Sequence, residues 1–403
     1  MKQVPPMLFV SDSPNGPNGL GMITREIATR AQKHLADVCY VGVAGYGDDG
    51  SKKQPFPVYP FSELKNWTIP QLPWIWKQFS GDRKGIIVTV WNIAWLPWFA
   101  YPEELEPSEL RDFLMSDRFK LWAYVPVDSV CLNDGLSNHE ERILRRLDRV
   151  LAYTKFGADA IDRTLGNQLG TTEHIPHGTD DTIFYPRSRK TARETMLQRI
   201  GYNMPGAVVG DEIEIIGIFA TNTARKDFPI ALEVCARLVQ RGHNIGVLLH
   251  TNRMVGDWNI TELCLKFGLK GRVFESTRPM TDHRDVAWLY AACDVVLCPG
   301  RGEGWGSPCS ESLACGVPIV TGNYAGSMEF VPSQYAVEPI AYQYESVFSN
   351  KRPVHNPEAW VEKVEKYLPF RDAPRKSLLG SEWMWPQVWN KWEAWFRRGL
   401  EGK

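Results

Sequence analysis

The chain alternates short, continuous apolar runs with longer stretches whose apolar residues recur every three to four positions. In the first half, MLFVSD (7–12) reads as a strand buried on both faces, and SPNGPNGLG (13–21) as the loop after it. MITREIATRAQKHL (22–35) then sets Ile23, Ile27, Ala31 and Leu35 along one helical face. Further strands are expected at 38–47, 85–93, 120–128 and 149–157. The second half repeats the alternation more sharply, with strands at 212–220, 244–252, 272–276, 294–300 and 318–323 and helices at 229–242, 259–269, 281–293 and 307–316. Strands that are continuously apolar belong to parallel sheets covered by helices on both faces. The pattern therefore predicts an α/β chain of two Rossmann-like, doubly wound domains. The Pro-marked segment IPHGTDDTIFYP (175–186) and the polar stretch 187–206 break the alternation, giving domains at 1–180 and 181–380. WMWPQVWNKWEAWFRR (383–398) sets Trp385, Trp389 and Trp392 on one apolar helical face. It predicts a terminal helix within 381–403 that crosses back to the first domain and leaves a hinge near 178–186.

Composition narrows the class. A length of 403 residues suits two domains of roughly 100–200 residues each. Hydrophobic residues make up 43% and charged residues 23%, ordinary for a globular protein. A formal net charge of −1 supplies no global field toward nucleic acid or an anionic membrane. MKQVPPMLFVSD contains no long apolar signal region, and no apolar stretch approaches the ~20 residues of a membrane helix, so a soluble, cytoplasmic protein is expected. The eight cysteines form no CxxC pair and lie among apolar residues, so they read as buried free thiols, with no metal site. The sixteen tryptophans crowd 67–98 and 383–395; most suit a core, while exposed ones could stack on a sugar ring or a base.

The chemistry gathers where strands end. In open α/β sheets, ligands bind beyond the carboxyl ends of the strands. After strand 212–220 comes TNTARKD (221–227), where Arg225 and Lys226 stand just before a helix, an arrangement that suits a diphosphate or an ordinary solvated loop. After strand 294–300, RGEGWGSPCSESLACG (301–316) offers glycines that let a ligand approach the backbone, with Glu303 in the loop and Glu311 on the helix. A carboxylate can accept paired hydrogen bonds from adjacent hydroxyls of a ribose or hexose. Glu311, set among small and apolar residues, needs a partner. NYAGSMEF (323–330), with Gly326 and Ser327, opens a third such loop, and three at neighbouring strand ends are more specific than any one. In the first half, Asp128 ends a strand and is the candidate carboxylate, with capping of the next turn as the alternative. Arg142, Arg145, Arg146 and Arg149 offer either a phosphate-contacting face or a solvated helix paired with Glu141. The G-x-G of NGLGMIT (18–24) is not completed to G-x-G-x-x-G, and the strand at 38–47 has no acidic residue at its tip before Asp48, which argues against a dinucleotide site.

At these residues the chain resembles the retaining GT-B glycosyltransferases of the group 1, family 4 type. EGWGSPCSESLACGVPIV (303–320) resembles that family's signature, and LYAACDVVLCPGRGEGWG (289–306) the run leading into it. IPHGTDDTIFYP resembles its segment between domains, NTARKD (222–227) its donor-phosphate loop and GPNGLGMITREIA (16–28) its opening. The resemblance implies two Rossmann-like domains facing across a cleft, and transfer of a sugar from a UDP- or GDP-linked donor with retention. Glu311 would hold the ribose hydroxyls, and Glu303, with the backbone of Gly304, Trp305, Gly306 and Ser307, the transferred sugar; Gly326 and Ser327 complete the donor site. Arg225 and Lys226 would neutralise the leaving diphosphate without a metal or other cofactor, and Gly19 and Gly21 would let the first loop lie over the phosphates. The leaving phosphate would help deprotonate the acceptor. His177 stands where the family usually has Asn, and the two cations, usually several residues apart, are adjacent, so one of them could be a bystander.

The N-terminal domain would take the acceptor: a glycan, a lipid, a small molecule or a modified DNA base. GLGMITREIA also resembles phage glycosyltransferases, some of which modify hydroxymethylated bases, which would place the protein in a host cytoplasm. A sugar-nucleotide-binding protein without activity is the reading of another class, and an epimerase or phosphorylase a further one, although no cofactor-lysine motif is present.

Overall fold

The computed structural model describes residues 5–16, 18–43, 53–59, 69–106, 108–201, 210–251, 255–275, 282–370 and 374–401. Asp48, Trp67 and the end of the polar stretch at 202–206 lie outside the described residues. The chain divides into two compact units, residues 1–177 together with 386–403, and residues 178–385.

Unit 1 is built on a parallel sheet of β1 (Pro6–Ser11), β2 (Asp37–Gly42), β3 (Val58–Tyr59), β4 (Gly85–Val90), β5 (Phe119–Val125), β6 (Arg149–Ala152) and β7 (Glu173–His174). The spatial order is β3-β2-β1-β4-β5-β6-β7, a doubly wound arrangement. Met7 to Val10 are wholly buried, as a strand covered on both faces must be. The expected strands stop earlier than their apolar runs. The run 149–157 ends at Ala152 because Thr154 takes over as a helix cap, its side chain accepting from Gly157 N at 3.3 Å, and helix Lys155–Leu165 follows. The first helix starts earlier than expected, at Gly19, because the Asn18 side chain accepts from Gly21 N at 2.8 Å.

The terminal helix Trp385–Leu400 belongs to unit 1 from Pro386 onward. Its apolar face extends through Trp392, Trp395 and Phe396, all fully buried or nearly so. Trp392 packs edge-on against Tyr124 of β5 at 4.6 Å and donates through Nε1 to the Pro176 carbonyl at 3.0 Å. Trp395 meets Trp122 at 5.0 Å, and the Arg149 guanidinium lies over both rings. Gly399 is required here, since a Cβ would fall 2.2 Å from the Trp122 ring.

Unit 2 holds a second parallel sheet of β8 (Glu214–Phe219), β9 (Ile245–His250), β10 (Val273–Glu275), β11 (Val295–Cys298), β12 (Ile319–Gly322) and β13 (Ala336–Val337), in the order β10-β9-β8-β11-β12-β13. An antiparallel hairpin, β14 (Ala341–Glu345) with β15 (Asn350–Val354), follows. The polar stretch that marks the expected domain boundary contains a helix, Arg189–Arg199. Its arginines make it look solvated, but Arg189 and Arg193 are spent internally, while Arg199 makes an exposed pair with Asp285. Arg193 and Arg189 each reach a different oxygen of Asp294 at 2.6 Å, and that carboxylate also accepts from Ile215 N at 2.8 Å. The entry and exit of unit 2 run side by side: Thr179 N donates to Trp383 O at 2.9 Å, and Trp385 N to Thr179 O at 3.1 Å. All eight cysteines are free and buried. No helix of the described residues is long and apolar enough to cross a membrane.

Candidate functional site

β8, β11 and β12 are neighbours in the sheet of unit 2, so the three loops singled out in the sequence leave it side by side. The first makes a 3₁₀ turn, Ala224–Lys226, and leaves it at Asp227 with a left-handed φ of 46°. This tight turn aims both adjacent cations at one group. Lys226 Nζ lies 2.5 Å from Glu303 Oε1, and Arg225 Nη1 lies 3.1 Å from Glu303 Oε2 while also donating to the Gly302 carbonyl at 2.8 Å. Adjacent in sequence, the two cations thus both contact Glu303. Glu303 is only 5% exposed. Burial alone would raise its carboxyl, but the charges and hydrogen bonds of Lys226 and Arg225 outweigh it and hold the group at about 2.

The glycines of the second loop have specific duties. A Cβ at Gly300 would fall 2.5 Å from Glu303 Oε1, and Gly306 takes φ 90° immediately before helix Ser307–Ala314. The third loop closes on the second: Gly326 N donates to Glu303 O at 2.8 Å, and a Cβ at Gly326 would meet the Gly304 carbonyl at 2.2 Å. Ser327 is buried and Ser307 half-buried. The Trp305 indole turns away into packing with Phe330 at 4.3 Å and Trp383 at 5.7 Å, so at this loop the residue offers a ligand its backbone.

Glu311, one turn along the helix, is half-buried in apolar surroundings, and desolvation pushes its carboxyl up to about 8 despite a hydrogen bond from Tyr290 that lowers it. Tyr290 is the partner that the sequence required without naming. Its ring stacks on Phe219, the last residue of β8, at 3.9 Å. A second support was also missed. Arg301 bridges Glu345 of the hairpin at 3.0 Å and Asp227 at 3.7 Å, and Arg352 donates to the Arg301 carbonyl at 3.2 Å. The only sequence signal was an arginine beside the glycine loop.

In unit 1, Gly19 begins its helix with open space where a Cβ would stand, whereas a Cβ at Gly21 would lie 2.1 Å from the Ser13 carbonyl. Gly21 is thus demanded by the loop's own packing. Asp128 lies beyond the end of β5 at Val125 and is half-buried. His177 is buried, with its ring 5.0 Å from that of Tyr153 and its Nδ1 3.4 Å from the Tyr124 hydroxyl; burial lowers its pKa to about 3, so it is neutral at pH 7. The four arginines form no common phosphate-contacting face. Helix Asn138–Leu144 carries only Arg142, which donates to Tyr101. Arg145 pairs with Glu141 at 2.7 Å, Arg146 with Glu103 at 3.1 Å and Arg149 with Glu173 at 3.0 Å. Sequence reading also passed over Asp12, the residue after β1, which is buried with its carboxyl raised to about 6 by desolvation.

A family model described as glycosyl transferases group 1 matches residues 212–373, which contain all three loops. D-inositol 3-phosphate glycosyltransferase of Xylanimonas cellulosilytica is 25% identical over 190 residues, 46% of this chain and 43% of that protein. The Salinispora tropica enzyme of the same name is 27% identical over 250 residues, 60% of this chain and 47% of its own. Mannosylfructose-phosphate synthase of Agrobacterium fabrum is 26% identical over 193 residues, 47% and 40% of the two chains. The chain spans about half the length of the curated relatives it matches. Among solved structures, Anabaena HepE in complex with UDP and glucose aligns with a TM-score of 0.68 at 15% identity, covering 97% of this chain and 99% of its own. Sucrose-phosphate synthase from Thermosynechococcus elongatus aligns with a TM-score of 0.68 at 17% identity, covering 99% and 100%. These likenesses show the fold, two Rossmann-like units of the GT-B class.

Proposed function

We propose that the chain, whose residues 212–373 match the group 1 glycosyl transferase model, transfers a sugar from a nucleotide diphosphate sugar to an acceptor hydroxyl, with retention of configuration. The observation that carries this reading is the buried Glu303 carboxylate held between Lys226 and Arg225, at the same strand ends as Glu311. Two cations on one carboxylate leave net positive charge, which suits a diphosphate leaving group. That charge stabilises the group as it departs. Glu303 would then accept from the transferred sugar's hydroxyls, and Glu311 from the ribose diol. No step requires a metal. A departing phosphate on the same face as the incoming alcohol would take its proton, giving retention. Unit 2 would bind the donor and unit 1 the acceptor.

UDP-linked donors come first, with GDP-linked ones as the alternative; the neighbour HepE is described with UDP and glucose. D-inositol 3-phosphate, which names several relatives, is the first acceptor to try. A DNA-base acceptor has less support, because the four arginines that suggested a phosphate face are engaged within their own unit. The test is a panel of UDP-, GDP- and ADP-sugars, read by thermal stabilisation and release of nucleoside diphosphate. At a ligand concentration of ~100 Kd, stabilisation should reach about 2.7 kcal/mol. A panel that neither stabilises the protein nor is turned over would reject the reading.

A further inference from the structure

The carboxyl ends of the strands in unit 1 hold a polar cluster for which the donor site has no use. Asp12, just past β1, is 6% exposed, and its Oδ1 has no hydrogen-bond partner. Tyr153, just past β6, is 2% exposed, and its hydroxyl has none either. Buried polar atoms are nearly always paired, so two unpaired ones in one cluster call for an explanation. Two neighbouring hydroxyls are already committed. The Tyr40 hydroxyl donates to Asp12's own carbonyl at 2.6 Å, and the Tyr124 hydroxyl to Ile175 O at 2.8 Å. Tyr153 is held in place by the Tyr124 ring at 4.0 Å and the His177 ring at 5.0 Å. Both groups lie at the carboxyl ends of strands of the same sheet, and the Asp12 carboxylate is near enough to act electrostatically on the buried Tyr153 phenol.

The two groups are chemically complementary to something with both a donor and an acceptor. A carboxylate oxygen only accepts, and a phenol can donate. We propose that Asp12 and Tyr153 form a hydroxyl-binding subsite in unit 1 that takes the acceptor alcohol, whose O–H donates to Asp12 Oδ1 while its oxygen accepts from the Tyr153 hydroxyl. This assignment rests on the glycosyltransferase reading. It moves the acceptor-side carboxylate from Asp128 to Asp12, and it gives the alcohol an orientation as well as an anchor. A hydrogen bond to a carboxylate also makes the alcohol oxygen a better nucleophile. As that oxygen bonds to the anomeric carbon and the bond from that carbon to the phosphate breaks, the O–H swings from Asp12 to the departing phosphate oxygen, which takes the proton.

Asp12→Asn and Tyr153→Phe, both nearly isosteric, test the subsite with whichever sugar nucleotide stabilises the wild-type protein. Turnover is read as nucleoside diphosphate release, with water alone and with added glycerol as a simple alcohol. Each variant should keep the wild-type thermal shift with nucleotide and lose at least about tenfold in turnover. The pH profile separates function from structure. The Asp12 carboxyl titrates at about 6, so wild-type turnover should fall as the pH drops through that value, and Asp12→Asn should lose this limb. The titratable and charged groups around the pair do not confuse the limb: Tyr40 and Tyr153 are pushed far up, His177, against Tyr153, sits at about 3, and Arg25, near Tyr40, is a permanent cation. If the pair merely holds a buried water, both variants will turn over sugar nucleotide within twofold of wild type, with the acid limb intact, and the assignment is overturned. Loss of the nucleotide shift in both variants would overturn it as well, by showing general damage. A wild-type protein that binds no sugar nucleotide defeats the parent reading instead.

Discussion

Lys226 and Glu303 form an ion pair at 2.5 Å in which both side chains are almost out of water. Removing one member of a buried pair leaves the other charge uncompensated. Lys226→Ala should therefore cost about 3 kcal/mol in chemical denaturation, the low end for a broken buried pair because Arg225 remains. Turnover should fall by at least ~10²-fold, the scale for removing a preorganised charge. A variant that keeps its sugar-nucleotide turnover would remove Lys226 from the site.

Glu311 gives a proton-linked signature of nucleotide binding. With its carboxyl at about 8, the free protein holds the proton at pH 7, whereas paired hydrogen bonds from a ribose diol favour the carboxylate. Nucleotide binding should release a proton, and affinity should rise with pH up to about 8. Calorimetry in buffers of different ionisation enthalpy reads the proton directly. Glu311→Gln should abolish the release and cut turnover ~10²-fold.

The same two carboxyls leave opposite marks on stability. Glu303 is depressed, so its contribution is present above the ordinary carboxyl range and is lost as pH falls toward about 2. Glu311 is raised, so the folded state binds more protons than the unfolded chain between the ordinary value and about 8, and stability declines as pH rises across that window. Glu311→Gln should flatten that decline, and denaturation midpoints measured from pH 5 to 8 would show it; an unchanged slope would contradict the assignment.

Gly19 and Gly21 should behave differently on substitution. Gly21→Ala drives a Cβ against the Ser13 carbonyl and should lower the melting temperature by several degrees, whereas Gly19→Ala meets open space and should be neutral or slightly stabilising. If the first loop approaches the donor phosphates at Gly19, Gly19→Ala will keep its melting temperature and lose turnover. Retained turnover would confine Gly19 to starting the helix.

Trp392 is fully buried against Tyr124. Trp392→Ala should cost about 3–5 kcal/mol in denaturation, the range for deleting a large core aromatic. Trp392→Phe should cost less but still leave the Pro176 carbonyl without its donor. A near-neutral Trp392→Ala would mean that the terminal helix contributes little to unit 1.

Both sheets were legible because their strands are continuously apolar: Met7 to Val10 and Val295 to Leu297 carry no polar residue to confuse the period. The donor loops were legible because glycines and charges cluster at strand ends in a quotable order. What escaped did so for physical reasons. Helix Arg189–Arg199 reads as solvated until Asp294, more than a hundred positions away, accounts for Arg189 and Arg193. The hairpin strand Ala341–Glu345 is largely exposed, so no buried face marks it. Tyr290 looked like one more apolar position on its helix, and its bond to Glu311 exists only in three dimensions. Asp12 was simply the polar end of a strand, and nothing local shows that its oxygen is buried without a partner.

The terminal helix also fixes an order of events during synthesis. Unit 2 is one uninterrupted segment, 178–385, while unit 1 needs both 1–177 and 386–403. The rings of Trp122 and Tyr124 wait for Trp392 and Trp395, which the ribosome makes only after the whole of unit 2. Unit 2 can therefore complete its core while unit 1 still shows an uncovered aromatic surface. A stop codon a few residues after 385 would spare the later-born unit and cripple the earlier one, and recombinant unit 2 alone is the fragment to expect in soluble form.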